Sequence, residues 1–279
     1  MSVAAARVVL VSDTHLSRRA PQAQENWDAV LRYVEEAAPD AVIHVGDLSL
    51  DGAHESEDLR HAHQQLRHLH VAWHAVPGNH DIGDNPFPGA PGGSRVTADR
   101  LQRWLDVVGA DHWSLTAGGW SLLAINAQLI GSGLEAEERQ WAWLEQQVSD
   151  CGANALALVT HKPVAAPEAE LASAPPYRFV PSAGRRRLAD LFAGKPLGLV
   201  ISGHVHQYRM LRLGGADHLW VPTTWAVLPD RVQPSFGTKE CGIVVLELSP
   251  GRASEHELVA PPGISQLTLL ENLPDPYHR

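Results

Sequence analysis

Residues Val71-Ala72-Trp73-His74-Ala75-Val76-Pro77-Gly78-Asn79-His80-Asp81 pass from an apolar run into a cluster of polar side chains. The apolar half reads as a buried strand, which places Pro77 to Asp81 just past its C-terminal end, where ligands collect in open α/β sheets. Gly78 is expected to let the backbone turn sharply without a Cβ. Asn79 offers a neutral oxygen ligand, His80 a proton donor near neutral pH, and Asp81 an acceptor suited to orienting that imidazole.

On the N-terminal side the same arrangement recurs. Val8 to Val11 is a β-branched run ending in Ser12-Asp13-Thr14-His15, and Ala41 to Val45 is a second run closing on Gly46-Asp47. Between them Trp27, Val30, Leu31 and Val34 recur at helical spacing over Asn26 to Ala38, and Ser56 to Leu69 reads as a second helix. Strand, helix, strand, helix, strand implies a parallel sheet with right-handed crossovers.

Toward the C-terminus a short helix is expected over Ala98 to Val108. His112 to Thr116 and Trp120 to Ile125 follow as a hairpin about Ala117-Gly118-Gly119. Glu135 to Val148 is an amphipathic helix, and Ala155 to Val159 a strand delivering Thr160-His161-Lys162-Pro163. Arg185 to Phe192 is a further helix, and Leu197 to Ile201 a strand ending in Ser202-Gly203-His204-Val205-His206. Four later strands (Tyr208 to Leu213, His218 to Val221, Gly242 to Leu248 and Glu255 to Val259) carry antiparallel character.

Two stretches rich in Gly, Pro or Ala, Asp81 to Arg95 and Ala165 to Gly184, read as loops at the rim of a site. In the second, Tyr177, Arg178 and Phe179 are suited to holding a second phosphate or stacking a base. No linker divides the chain. One domain over residues 1–260 with a tail over 261–279 is expected, α/β in class, with two mixed sheets face to face and helices outside.

At 279 residues, with 44% hydrophobic and 19% charged residues, the composition is that of a soluble globular protein with a proper core. A net charge of −10 argues against a broad nucleic-acid-binding surface. No stretch reaches transmembrane length, so no membrane partner is expected. The first thirteen residues lack the basic n-region of a signal peptide, and a cytoplasmic location is expected. Two cysteines make no disulfide framework. The 16 histidines include His54, His61, His63, His68, His70 and His74. These six read mostly as surface residues of a polar helix and its flanks, His54 being the best outsider for a site role.

The chemistry-bearing residues all follow strands: Asp13 and His15, Asp47, Asn79 and His80, His161, and His204 and His206. Every one is an oxygen or imidazole ligand. Asp13/His15 and His204/His206 share the spacing i, i+2, which in extended geometry puts both side chains on one side of the chain, within reach of one ion.

Asp13-x-His15, Gly46-Asp47, Gly78-Asn79-His80-Asp81, His161 and Gly203-His204-x-His206 together resemble the full signature of the calcineurin-like metallophosphoesterases. The resemblance runs from about Val8 to His206. It implies a four-layer α/β/β/α sandwich of two mixed sheets flanked by helices, and a centre of two divalent metal ions (Mn, Fe or Zn). Asp13, His15 and His206 would hold one ion and Asn79, His161 and His204 the other, with Asp47 and a water or hydroxide bridging. His80 would contact the phosphoryl oxygens or protonate the leaving group with Asp81 orienting it, and Asn79 and His80 would line the substrate. The implied reaction is in-line hydrolysis of a small phosphate ester.

Within the family the pattern is similar to the bacterial class III cyclic-nucleotide phosphodiesterases. One departure is Asn126-Ala127-Gln128 after the strand Ser121 to Ile125, where many relatives carry an Asp-Ser or Asp-Thr pair. A phosphomonoesterase acting on a nucleotide or small metabolite is the alternative. A nuclease is disfavoured by the negative charge, and a non-catalytic protein-binding scaffold by the complete ligand set. Trp220 and Trp225, read as surface residues, leave room for a homodimer.

Overall fold

Side-chain alternation along the central strands sorts the core into three slabs. The computed structural model describes residues 4–91, 93–152 and 154–271. In β1 (Ala6–Val11), Val8 and Leu10 face one way and Val9 and Val11 the other. In β5 (Trp120–Ile125), Leu122 and Ala124 oppose Leu123 and Ile125 in the same manner. A strand buried on both faces is apolar throughout, as these are.

The first sheet has the order β11-β10-β1-β2-β3, with β2 (Ala41–His44), β3 (Trp73–Ala75), β10 (Ile243–Leu248) and β11 (Glu255–Val259). Here β1, β2 and β3 run parallel, and β10 joins β1 antiparallel. The second sheet has the order β4-β5-β6-β7-β9-β8, adding β4 (Trp113–Ala117), β6 (Ala155–Thr160), β7 (Leu197–Ser202), β8 (Arg209–Leu213) and β9 (Ala216–Trp220). Its inner pairings are parallel, and β4 and β8 close the edges antiparallel.

Between the sheets Leu10, Ile43 and Val244 meet Ala124, Val159 and Ile201. The outer face of the first sheet is covered by α1 (Pro21–Ala37), α2 (Ser56–Leu66) and α4 (Ala98–Val107) through Trp27, Leu59 and Trp104. The outer face of the second is covered by α5 (Glu135–Asp150) and α7 (Ser182–Leu191) through Trp141, Leu144 and Leu188. The expected four-layer α/β/β/α sandwich of two mixed sheets is what this arrangement forms.

Three expectations are corrected. First, β8 and β9 form a hairpin, but β9 pairs parallel with β7, and β10 crosses to the other sheet beside β1. Ile243, Val244, Leu246 and Leu248 are all buried, and such a strand belongs inside a covered sheet rather than at a solvated edge. Second, the stretch 165–184 contains α6 (Glu168–Ser173) and the first turn of α7, and a short α3 (Asn79–Ile82) follows Gly78. Third, the segment expected as a tail is stitched to the body. Asn26 exchanges two amide hydrogen bonds with Ser265, Gln266 does the same with Cys241, and Leu269 is buried. Residues 272–279 lie outside the described residues. Among the described residues no helix is long and apolar enough to cross a membrane.

Candidate metal centre

The strand-end loops hold their side chains in an unexpected backbone conformation. Asp13 (φ 52°), His15 (46°), Asp47 (54°), His204 (68°) and His206 (52°) all lie in the left-handed region. The i, i+2 pairs are therefore not extended. Each pair sits on a tight turn whose alternate residues have positive φ, a conformation costing roughly 1–2 kcal/mol per non-glycine residue. Gly78 also differs from its expectation. Its own backbone is extended (φ −102°, ψ −177°), and what it supplies is space, since a Cβ there would collide with the Asp47 carboxylate and backbone. Gly203 does likewise beside Ser12 and Asp13.

With the loops so folded, all seven residues expected as ligands converge. Asp13 Oδ1 lies 3.3 Å from His206 Nε2, which is 3.2 Å from His15 Nε2. Asp47 Oδ2 faces His161 Nε2 at 3.3 Å, His15 Nε2 at 3.8 Å and His80 Nε2 at 4.0 Å. Asn79 Oδ1 lies 3.3 Å from His161 Nε2. Three groups of ligand atoms lie within 4.8 Å of one another: Asp13/His15/His206, His15/Asp47/His80 and Asp47/His161/His204. Asp47 belongs to two of them, at the middle of the site.

Backbone carbonyls decide the imidazole tautomers, because a carbonyl oxygen only accepts. His161 Nδ1 donates to Val45 O (2.8 Å) and His206 Nδ1 to Ala226 O (2.6 Å), so Nε2 of each presents its lone pair to the centre. His204 donates in the opposite sense, from Nε2 to Tyr177 O (3.1 Å), which leaves Nδ1 as its ligand atom. Such outer hydrogen bonds orient metal-binding histidines and raise their basicity. Asp13 Oδ2 accepts from His204 N, while Asp13 Oδ1 is buried without any partner. An orphaned carboxylate oxygen beside inward-facing imidazole lone pairs is the donor set of a divalent cation, and sulfur is absent from it. The residues fit a metal centre.

The charges agree. Burial opposes ionisation of Asp13 and Asp47, but the surrounding imidazoles (His206 for Asp13, His161 for Asp47) outweigh it and hold both carboxyls below the usual range. Burial lowers His15 and His204 well below the ordinary imidazole value. For His161 burial is outweighed by Asp47, which pushes it up to about 9, so Nε2 would take up a proton beside that carboxylate, and a bound metal ion would displace it to reach the lone pair.

Asp81 does not orient His80. His80 Nδ1 donates to Leu50 O at 2.9 Å. The Asp81 carboxylate is spent on Gly78 N, Leu48 N, Ser49 N and Ser49 Oγ, clamping the Asp47 loop to the start of α3. Trp220 and Trp225 are buried rather than on the surface, Trp225 packing 4.8 Å from the His15 ring, so they give no support to a dimer. His54 bonds to Asp51 and Gly93 O outside the three groups. One residue escaped sequence reasoning. His44, inside the expected strand Ala41 to Val45, meets Gly46 N and Thr14 Oγ1 and so links the first two strand-end loops. Asn126 fastens the end of β5 to Asp111 and Gln140. Nothing local in the sequence marks either partner.

Residues 6–208 match the family model described as calcineurin-like phosphoesterase. The chain belongs to this family of metal-dependent phosphoester hydrolases. A search of curated proteins found no match. Among solved structures the fold is similar to a dimetal phosphatase from Danio rerio, with TM-score 0.62 and 13% identity over 93% of this chain and 100% of that one. It is similar to a purple acid phosphatase from yellow lupin, with TM-score 0.61 and 16% identity over 95% of this chain and 53% of that one. It is also similar to the inner-membrane-complex anchor GAP50 of Plasmodium, with TM-score 0.61 and 13% identity over 94% and 86% of the two chains.

Proposed function

We propose that Asp13, His15 and His206 hold one divalent ion and Asn79, His161 and His204 a second, with Asp47 shared, and that the centre hydrolyses phosphodiesters, cyclic nucleotides among them. The observation that carries this reading is the Asp47 carboxylate, common to two ligand groups within 4.8 Å. Two such ions, when bound, would neutralise phosphoryl charge and bring the pKa of bound water toward neutrality. The nitrogen and oxygen donors suit Mn, Fe or Zn.

The chain's own residues supply the rest. Asp47 Oδ1 is fixed by His80 N at 2.8 Å, which holds Oδ2 toward the imidazoles. His80 presents Nε2 to the same edge from a half-buried position, where it can hold a phosphoryl oxygen or pass a proton to the leaving oxygen. Two carboxylates against two divalent ions leave the centre cationic, which suits a phosphate monoanion.

The test is metal-stripped protein reconstituted with Mn, Fe, Zn or Mg and assayed on bis-p-nitrophenyl and p-nitrophenyl phosphate. Turnover of the diester is expected to exceed that of the monoester, and Asp47→Ala and Asn79→Ala to abolish both with loss of bound metal. Full activity in either variant would refute the assignment. Turnover of the monoester alone would replace the diester reading with a phosphomonoesterase acting on a nucleotide or small metabolite.

A further inference from the structure

Arg178 is a buried cation without a counter-charge. Its residue is 4% exposed, its Nε–H has no acceptor, and among the described residues no carboxylate or hydrogen-bond partner meets its guanidinium. Three other arginines of this acidic chain are matched by carboxylates: Arg209 is bidentate to Glu170, Arg187 pairs with Glu138 and Glu145, and Arg19 with Asp58. Burial lowers the Arg178 pKa, as expected for a cation partly withdrawn from water.

The position of Arg178 relates this charge to the metal centre. The preceding carbonyl, Tyr177 O, accepts from His204 Nε2 at 3.1 Å. The loop around it is pinned by Arg178 N to Pro175 O and by Val180 N to Pro163 O, two residues beyond His161. The guanidinium lies over the Phe236 ring, 5.4 Å from its centroid. Phe236 N and Gly237 N both donate to Gln207 Oε1, next to His206. Arg178 is therefore held between two segments that are each fastened to the His204–Gln207 loop. A planar guanidinium with an unfilled donor, one residue from the carbonyl that holds His204, is suited to bidentate capture of a carboxylate or phosphate.

We propose that Arg178 binds a second anionic group of the substrate, so that among the esters this centre takes those with a negative charge beyond the scissile phosphorus are preferred. This rests on the phosphoesterase reading and narrows its substrate class. The anion supplies the counter-charge that the fold withholds.

The test uses the metal-reconstituted full chain and pairs of inhibitors equal in length: ω-phosphonocarboxylates of two to four carbons against the matching alkylphosphonates. Wild type is expected to prefer one phosphonocarboxylate over its neutral-ended partner by about 10-fold or more, as a charge-assisted bidentate pair provides. Arg178→Met should abolish that preference and Arg178→Lys retain part of it. In both, metal per chain should stay unchanged and turnover of bis-p-nitrophenyl phosphate within about 3-fold, since that ester has no second anion to lose. Arg178→Met should unfold at the same temperature as wild type or higher, because methionine packs on Phe236 without burying a charge. Equal inhibition by both members of every pair in wild type overturns the proposal. So does a preference that survives Arg178→Met, or one that vanishes instead in Arg185→Met, whose guanidinium also has an orphaned Nε but lines the groove beyond Phe179. The same pairs are read by thermal shift. If no ester is hydrolysed, the phosphoesterase reading falls by itself, and the shifts still decide whether Arg178 binds the second anion.

Discussion

His80 Nδ1 donates to the backbone carbonyl Leu50 O, and Nε2 turns toward Asp47 Oδ2. The bond leaves its side chain 26% exposed, enough to meet a substrate, while Asp13, His15 and Asp47 are sealed. Replacing His80 should therefore separate chemistry from metal binding. We expect His80→Ala to keep wild-type metal content while kcat falls about 10²–10⁴-fold, the usual range for loss of a general acid. Metal analysis alongside steady-state kinetics checks both halves, and a variant depleted of metal would show that His80 is a ligand as well. Asp81 works by a different route. Its four hydrogen bonds fix Leu48, Ser49 and Gly78, so it governs the placing of Asp47 and Asn79 rather than the imidazole between them.

At the scale of elements, β1 and β2 deliver the proposed ligands on separate loops, and His44 joins those loops by a directional chain. Gly46 N donates to His44 Nδ1 at 3.2 Å, which obliges Nε2 to carry the proton. Nε2 donates to Thr14 Oγ1 at 3.0 Å, and Thr14 Oγ1 donates to Leu48 O at 2.9 Å. Protonating Nδ1 would break the first link, and burial keeps His44 neutral down to about 3. An unfolded histidine takes up a proton near pH 6.5. The contribution of neutral His44 is therefore complete above about pH 6.5 and is lost at about 1.4 kcal/mol per pH unit as pH falls toward 3, because only the unfolded chain gains the proton there. Urea unfolding at about pH 7, 5.5 and 4.5 should show the stability gap between wild type and His44→Gln narrowing at that rate. Parallel pH profiles would refute this account of the residue.

For the whole molecule, the centre is a seam between the two sheets. Asp13, His15, Asp47 and Asn79 follow strands of the first sheet, and His161, His204 and His206 follow strands of the second. Metal bound to this set would cross-link layers otherwise joined by apolar contact such as Leu10 and Ile43 against Val159 and Ile201. A ligand present at 1,000 times its Kd adds about 4 kcal/mol, so chelation should lower Tm by on the order of 10 °C. Calorimetry with and without chelator measures it, and Asp47→Ala should show no such difference. An equal drop in that variant would place the stabilising metal elsewhere.

The strands, the covering helices and the list of polar residues at strand ends were legible in the amino-acid sequence. Period-two and period-3.6 patterning is local, and Asp13, His15, Asp47, Asn79, His161, His204 and His206 each follow a visible apolar run. What the sequence did not disclose depends on partners far along the chain. Leu50 O rather than Asp81 on His80, Tyr177 O on His204, the stitching of Ser265 to Asn26, and the crossing of β10 to β1 join residues that carry no shared local signal. In Pro77 to Asp81 the sequence alone determined which residue types stand at the strand end. Only the tertiary structure decided that Gly78 makes room for Asp47 and that Asp81 clamps the loop beside it, because close approach and hydrogen-bond direction exist only once the two loops meet.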